Sequence, residues 1–110
     1  CEPLDGKVDI LRRIHNLRKI SVSPWSNTER AVENMGADYV MSRKPNPAIL
    51  AESSWSPARA EEELRAFLDK TERRCHVELI MKDISTVKYE PARLWEWAEI
   101  ALRVAEDYSA

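Results

Sequence analysis

Cysteine is scarce in this chain of 110 residues: there are 2, Cys1 and Cys75. Two cysteines so far apart make no disulfide framework and suit a reducing cytoplasm, the compartment we expect. No apolar run approaches the roughly 20 residues that a membrane helix needs, so a membrane protein is not expected. Cationic excess is also missing. The net charge is −2 and the pI near 5.7, and acids are interleaved with the lysines and arginines, which argues against a nucleic-acid partner. Glycine is down to 2 residues and no targeting segment is evident, while position 1 is a cysteine rather than a methionine. We therefore expect a piece of a larger polypeptide.

What is present is the composition of a globular protein, 44% hydrophobic and 33% charged, in a length that suits one small domain. Helical and strand patterns alternate along it. Asp5 is placed to cap a first helix whose Ile10, Leu11 and Ile14 face one way, with His15-Asn16 as its end. Residues 17–23 form a strand in which Ile20 and Val22 alternate with Lys19, Ser21 and Ser23. Ser26 and Glu29 read as a capping box, followed by an inner face of Ala31, Val32 and Met35 and a stop at Gly36. A strand over 39–44 follows, then a helical turn over 48–51. Ser56-Pro57 opens a longer helix with Ala60, Leu64, Phe67, Leu68 and Thr71 inward and Arg73-Arg74 at its end. Residues 77–81 make a third strand. Pro91 opens a last helix with Leu94, Trp97, Ala98, Ala101, Leu102 and Ala105 along one side.

Strand alternating with helix predicts parallel strands and an α/β architecture. Three parallel strands alone leave both edges unpaired, so the expected completion is a (β/α)8 barrel or an open doubly wound sheet. With Ile20 and Val22 facing the helices, Lys19, Ser21, Ser23, Ser42, Lys44, Glu78, Ile80 and Lys82 fall on the opposite face. Polar groups there favour a barrel with a wet cavity for a large substrate over an aliphatic-packed one. The segment Ser42-Arg-Lys-Pro-Asn-Pro47 ends its strand chemically. Pro45 and Pro47 cannot donate to a sheet, and we expect Arg43 and Lys44 to be presented rather than buried.

Cys1-Glu-Pro-Leu, Asn16-Leu-Arg-Lys-Ile-Ser-Val-Ser-Pro-Trp25, Ser42-Arg-Lys-Pro-Asn-Pro47 and Lys82-Asp-Ile-Ser-Thr86, with the Trp-rich last helix, resemble the C-terminal part of uroporphyrinogen-decarboxylase-like proteins. The resemblance is strongest to a branch from anaerobic bacteria related to cobamide-dependent methyltransferases, and it covers essentially the whole chain. It implies the last three βα units of a (β/α)8 TIM barrel, incomplete in this chain, with Cys1 just past the end of the fifth strand and the active site inside the C-terminal mouth. Two chemistries are implied by it: cofactor-free decarboxylation of a tetrapyrrole, and methyl transfer with zinc and a corrinoid carried by a partner protein. Where true decarboxylases carry Gly-His-Gly after the last strand, this sequence has Met81-Lys82-Asp83.

Methyl transfer is the preferred expectation for the parent enzyme, decarboxylation (a lyase reaction) the second, and a remnant without catalysis of its own the third. Cys1 is the candidate thiolate and metal ligand, although a zinc site needs further ligands. Glu2 is the candidate acid or base. Arg43 and Lys44 are candidates for carboxylates or phosphate, Arg by its planar fork and Lys as a point charge. Ser23, Trp25, Asn46, Lys82 and Asp83 complete the candidate substrate site, all near strand ends where barrel function concentrates. Cys75-His76 lies at the opposite end and is expected to be structural. The missing part of the barrel is the expected partner, and the isolated fragment is expected to self-associate through its open edges.

Overall fold

The computed structural model describes residues 2–109. Within them the chain is α/β, with strands β1 (Lys19–Val22), β2 (Val40–Arg43) and β3 (His76–Leu79) and helices α1 (Val8–Leu11), α2 (Thr28–Met35), α3 (Ala48–Ala51), α4 (Pro57–Thr71) and α5 (Ala92–Ser109). The sheet is parallel throughout, ordered β1-β2-β3, and Ser42 of β2 lies opposite both Ser21 and Glu78.

Helices α1, α2, α4 and α5 stand side by side in chain order. Ile20, Val22, Met41, Leu64 and Val104 fill the core beneath them, with Val77 and Leu79 packed against it. Full burial of one such aliphatic side chain contributes roughly 1.5–3 kcal/mol. The result is a slab. Its radius of gyration is 14.5 Å, larger than the about 13 Å of a compact domain of this length.

Local chemistry explains the boundaries. Asn27 rather than Ser26 caps α2, its Oδ1 accepting from the Arg30 N–H at 2.9 Å, because Ser26 Oγ is engaged with Ser23 Oγ at 3.2 Å. Gly36 ends the helix as expected, at a φ of 52° that costs glycine little and other residues more. Ser56 caps α4 with Pro57 just inside it, and the five expected inward residues are the buried ones. The helix stops at Thr71, before Arg73-Arg74, because Glu72 and Arg73 both take left-handed geometry.

Three further expectations are corrected. Asp5 does not cap α1. Its buried carboxylate lies 3.5 Å from Arg30 and its carbonyl accepts from Asn34, so it ties the N-terminal segment to α2. Ile10 and Ile14 face solvent, since α1 spans only four residues and Val8 is the one that enters the core. The inward stripe of α5 is Arg93, Trp97, Ile100, Ala101 and Val104. Ala98, Leu102 and Ala105 are instead exposed, Leu102 at 63%, because the helix is apolar over a wider arc than its packed side covers.

Candidate functional site on the helix-free sheet face

Period-two geometry sends successive strand residues to opposite faces. Residues 20, 22, 41, 43, 77 and 79 therefore go to the helices, and residues 19, 21, 40, 42, 44, 76, 78 and 80 to the opposite face, which no helix among the described residues covers. On that face the register brings a polar row together. Lys19 Nζ lies 2.8 Å from Glu78 Oε2. Ser42 Oγ donates to Glu78 Oε1 at 2.7 Å. Lys44 Nζ donates to Ser42 Oγ at 2.6 Å and to the Ser42 carbonyl at 3.1 Å.

The row has a definite charge distribution. Hydrogen bonds from Lys19 and then from Ser42 hold the Glu78 carboxyl below the usual carboxylate range. Lys44 is half-buried, and burial lowers its proton affinity; Glu78 opposes the shift, while Lys82 and Lys19 reinforce it. Ser42 is enclosed by its neighbours, at 4% exposure. Lys82 itself is exposed and lies 3.4 Å from the Asp83 carboxylate, and Asp83 sits in a left-handed turn with φ 58°.

The residues singled out from sequence divide between this face and the scaffold. Lys82, in the chain after β3, stands near enough to Lys44 to act on its charge, and Lys44 itself belongs to the face. Arg43 does not: the expectation that it is presented is corrected, since it is 8% exposed and points among the helices. There it lies 4.6 Å over the Phe67 ring, donates to the Ser23 carbonyl at 3.0 Å and stands 3.9 Å from Glu63. Burial lowers its proton affinity, against the pull of Glu63. Ser23 is buried beside it. Asn46 serves the loop, accepting from the Ala48 N–H at the start of α3 and donating its own N–H to Glu63. Trp25 follows β1 and is 66% exposed. Glu2 pairs with Lys7, which holds its carboxyl below the usual range. Cys1 lies outside the described residues.

Lys19, Ser42 and Glu78 were legible as residues of this face but not as members of one hydrogen-bonded row, which only the strand register creates. At the other end of the strands, Cys75 and His76 line a cavity of about 400 Å³ with Thr71, Val77 and Tyr108. Burial pushes the Cys75 thiol up, away from the thiolate that metal binding or nucleophilic chemistry needs. No group of three or more potential metal ligands occurs among the described residues, and no helix among them is long and apolar enough to cross a membrane. Comparison with protein-family models, curated proteins and solved structures finds no match for this chain.

Proposed function

We propose that the chain is the C-terminal part of a uroporphyrinogen-decarboxylase-like (β/α)8 barrel, and that its helix-free sheet face lines the interior and holds a carboxylate-bearing substrate. The observation that carries this reading is the row Lys19–Glu78–Ser42–Lys44, with Lys82 adjoining it. A lone small sheet would gain nothing from enclosing a serine among charges on its open face. A barrel interior that receives an acidic molecule would, because cations fixed by neighbours recognise carboxylates at little ordering cost.

Of the implied chemistries, this face fits an acidic tetrapyrrole better than a zinc-held thiolate. Lys19, Lys44 and Lys82 give this face the cations that acidic side chains would meet. Methyl transfer from a corrinoid-carrying partner is the second reading, favoured by Met81-Lys82-Asp83 at the place of the decarboxylases' Gly-His-Gly and by Cys1. It would draw its ligands from Cys1 and from chain outside residues 2–109.

The test is equilibrium binding of uroporphyrin and of hydroxocobalamin, followed by quenching of tryptophan fluorescence. Uroporphyrin is expected to bind, with affinity falling on added salt and about tenfold lower in Lys44→Ala, the loss of about one charge-assisted hydrogen bond. Binding of hydroxocobalamin alone would move the assignment to methyl transfer. Binding of neither would reject the substrate-face reading and leave a remnant without catalysis of its own.

A further inference from the structure

We infer that Lys44 is a nucleophilic amine that forms a Schiff base with an anionic carbonyl compound, an oxo acid or acid aldehyde, on the helix-free face at the end of β2. The inference rests on the reading of this face as a substrate surface but does not require the barrel or a tetrapyrrole.

The geometry concerns where the nitrogen's lone pair is left. A neutral ε-amine has two N–H donors and one lone pair. Lys44 Nζ has folded back along its own strand, within 2.6 Å of Ser42 Oγ and 3.1 Å of the Ser42 carbonyl oxygen. Both oxygens are acceptors for it: the carbonyl has no hydrogen, and the hydroxyl hydrogen of Ser42 is already committed to Glu78 Oε1 at 2.7 Å. Two N–H bonds into the sheet turn the lone pair outward, to the side from which a ligand would arrive. Glu78 is in turn fixed by Lys19 at 2.8 Å, so the orientation is set over three strands rather than by one mobile side chain.

The surroundings ease loss of the ammonium's proton. The groups acting on Lys44 are burial, Glu78, Lys82 and Lys19. Desolvation and two like charges disfavour the ammonium, as in other Schiff-base lysines, and Glu78, already shared between Lys19 and Ser42, opposes them only in part. Lys19 and Lys82 also supply positive charge for the carboxylate of the incoming molecule.

The step balances as follows. The ammonium loses one proton to water. The free amine adds to the carbonyl carbon, forming the C–N bond, and the carbonyl π pair takes up a proton to give a carbinolamine. Loss of water, with that oxygen as leaving group, gives the protonated imine, so ammonium plus carbonyl yields iminium plus water with no net change in charge or redox state.

Reductive trapping tests this on the chain itself. The protein is incubated with succinic semialdehyde and cyanoborohydride, which delivers hydride to the iminium, and each lysine is read by peptide mass spectrometry. Lys44 is expected to label several-fold faster at pH 7 than the exposed Lys70 and Lys88, because its lowered proton affinity leaves more of it as free amine. Lys82→Ala should slow labelling of Lys44, and Glu78→Gln should speed it, opposite signs that a purely structural role would not produce. Labelling of Lys44 no faster than that of Lys70 and Lys88 overturns the inference, as does the same response to both substitutions in variants that keep the wild-type circular dichroism. Because the probe is a small aldehyde, this outcome is independent of whether uroporphyrin binds.

Discussion

Arg93 offers a stringent test of the packing. It is 2% exposed yet charged, and its guanidinium donates to the carbonyls of Leu50 at 3.1 Å, Glu52 at 2.5 Å and Ser53 at 3.3 Å, with Glu90 on Nε at 3.1 Å. Those carbonyls belong to the end of α3 and the turn after it, where a helix leaves its last acceptors without intrahelical partners. Arg93 is thus the C-terminal cap of α3, supplied from α5 some 40 residues further on. In Arg93→Met the side chain keeps much of its volume but donates nothing. The Leu50 carbonyl, at the buried end, loses about 1–3 kcal/mol, and the two more accessible carbonyls about 0.5–1 kcal/mol each. The Glu90 pair, exposed on one side, contributes about 0–1 kcal/mol. Relief from burying the guanidinium offsets part of this, so the expected loss is about 3 kcal/mol. With a urea dependence of about 1.5 kcal/mol per molar, the midpoint should fall by about 2 M. The assay is urea unfolding followed by far-ultraviolet circular dichroism. Arg93→Lys, which reaches fewer carbonyls, should fall about half as far. A midpoint shift in Arg93→Met under about 0.5 M with unchanged slope would refute the capping argument.

Two further outcomes are expected. The Glu78 carboxyl is lowered by Lys19 and Ser42 from an ordinary value of 4.5; a lowered folded value adds stability that is present above the unfolded one and lost as pH falls through the folded one. Glu78→Gln should therefore make urea midpoints less dependent on pH below 4.5, and an acid limb identical to wild type would count against the Lys19–Glu78–Ser42 contacts. The exposed Trp95 and Leu102 of α5, together with the open edges of β1 and β3, should make the chain associate with rising concentration in sedimentation equilibrium, and Trp95→Glu with Leu102→Glu should weaken that association. A wild-type chain that stays monomeric throughout would refute it.

The strands, the parallel order and the inner face of α4 were legible because each follows from local periodicity and from caps within a few residues. Ile20 and Val22 alternate with Lys19 and Ser21, and Ser56-Pro57 announces its helix. The errors arose where long-range contacts decide. Arg43 looks like a surface cation until Phe67 and the Ser23 carbonyl are placed around it. Arg93 lies on the α5 arc beside Trp97, and only the fold shows that α3 needs it. The packed side of α5 could not be read from its apolar width, because a helix apolar over so wide an arc offers several inward stripes and α4 selects one. For the candidate site the facing of Lys19, Ser42, Lys44 and Glu78 was readable, whereas their contacts depend on a register between strands more than 30 residues apart, as the Ser42–Glu78 separation of 36 shows.

Arg43 and Lys44 are consecutive, yet one is locked among the helices and the other lies over the open sheet face. Tolerance to substitution in this sheet should then follow the parity of the residue number: even positions in β1, but odd positions in β2 and β3, carry the packing, and the complementary set carries the polar row. The same arithmetic makes the register of β2 between β1 and β3 decisive for both faces. A slip of β2 by one residue against β1 and β3 would exchange the two sets along the whole strand, driving Ser42 and Lys44 into the apolar layer and turning Met41 and Arg43 out. Residues added in the turn between α2 and β2 leave both faces unchanged as long as the turn absorbs them and that register holds.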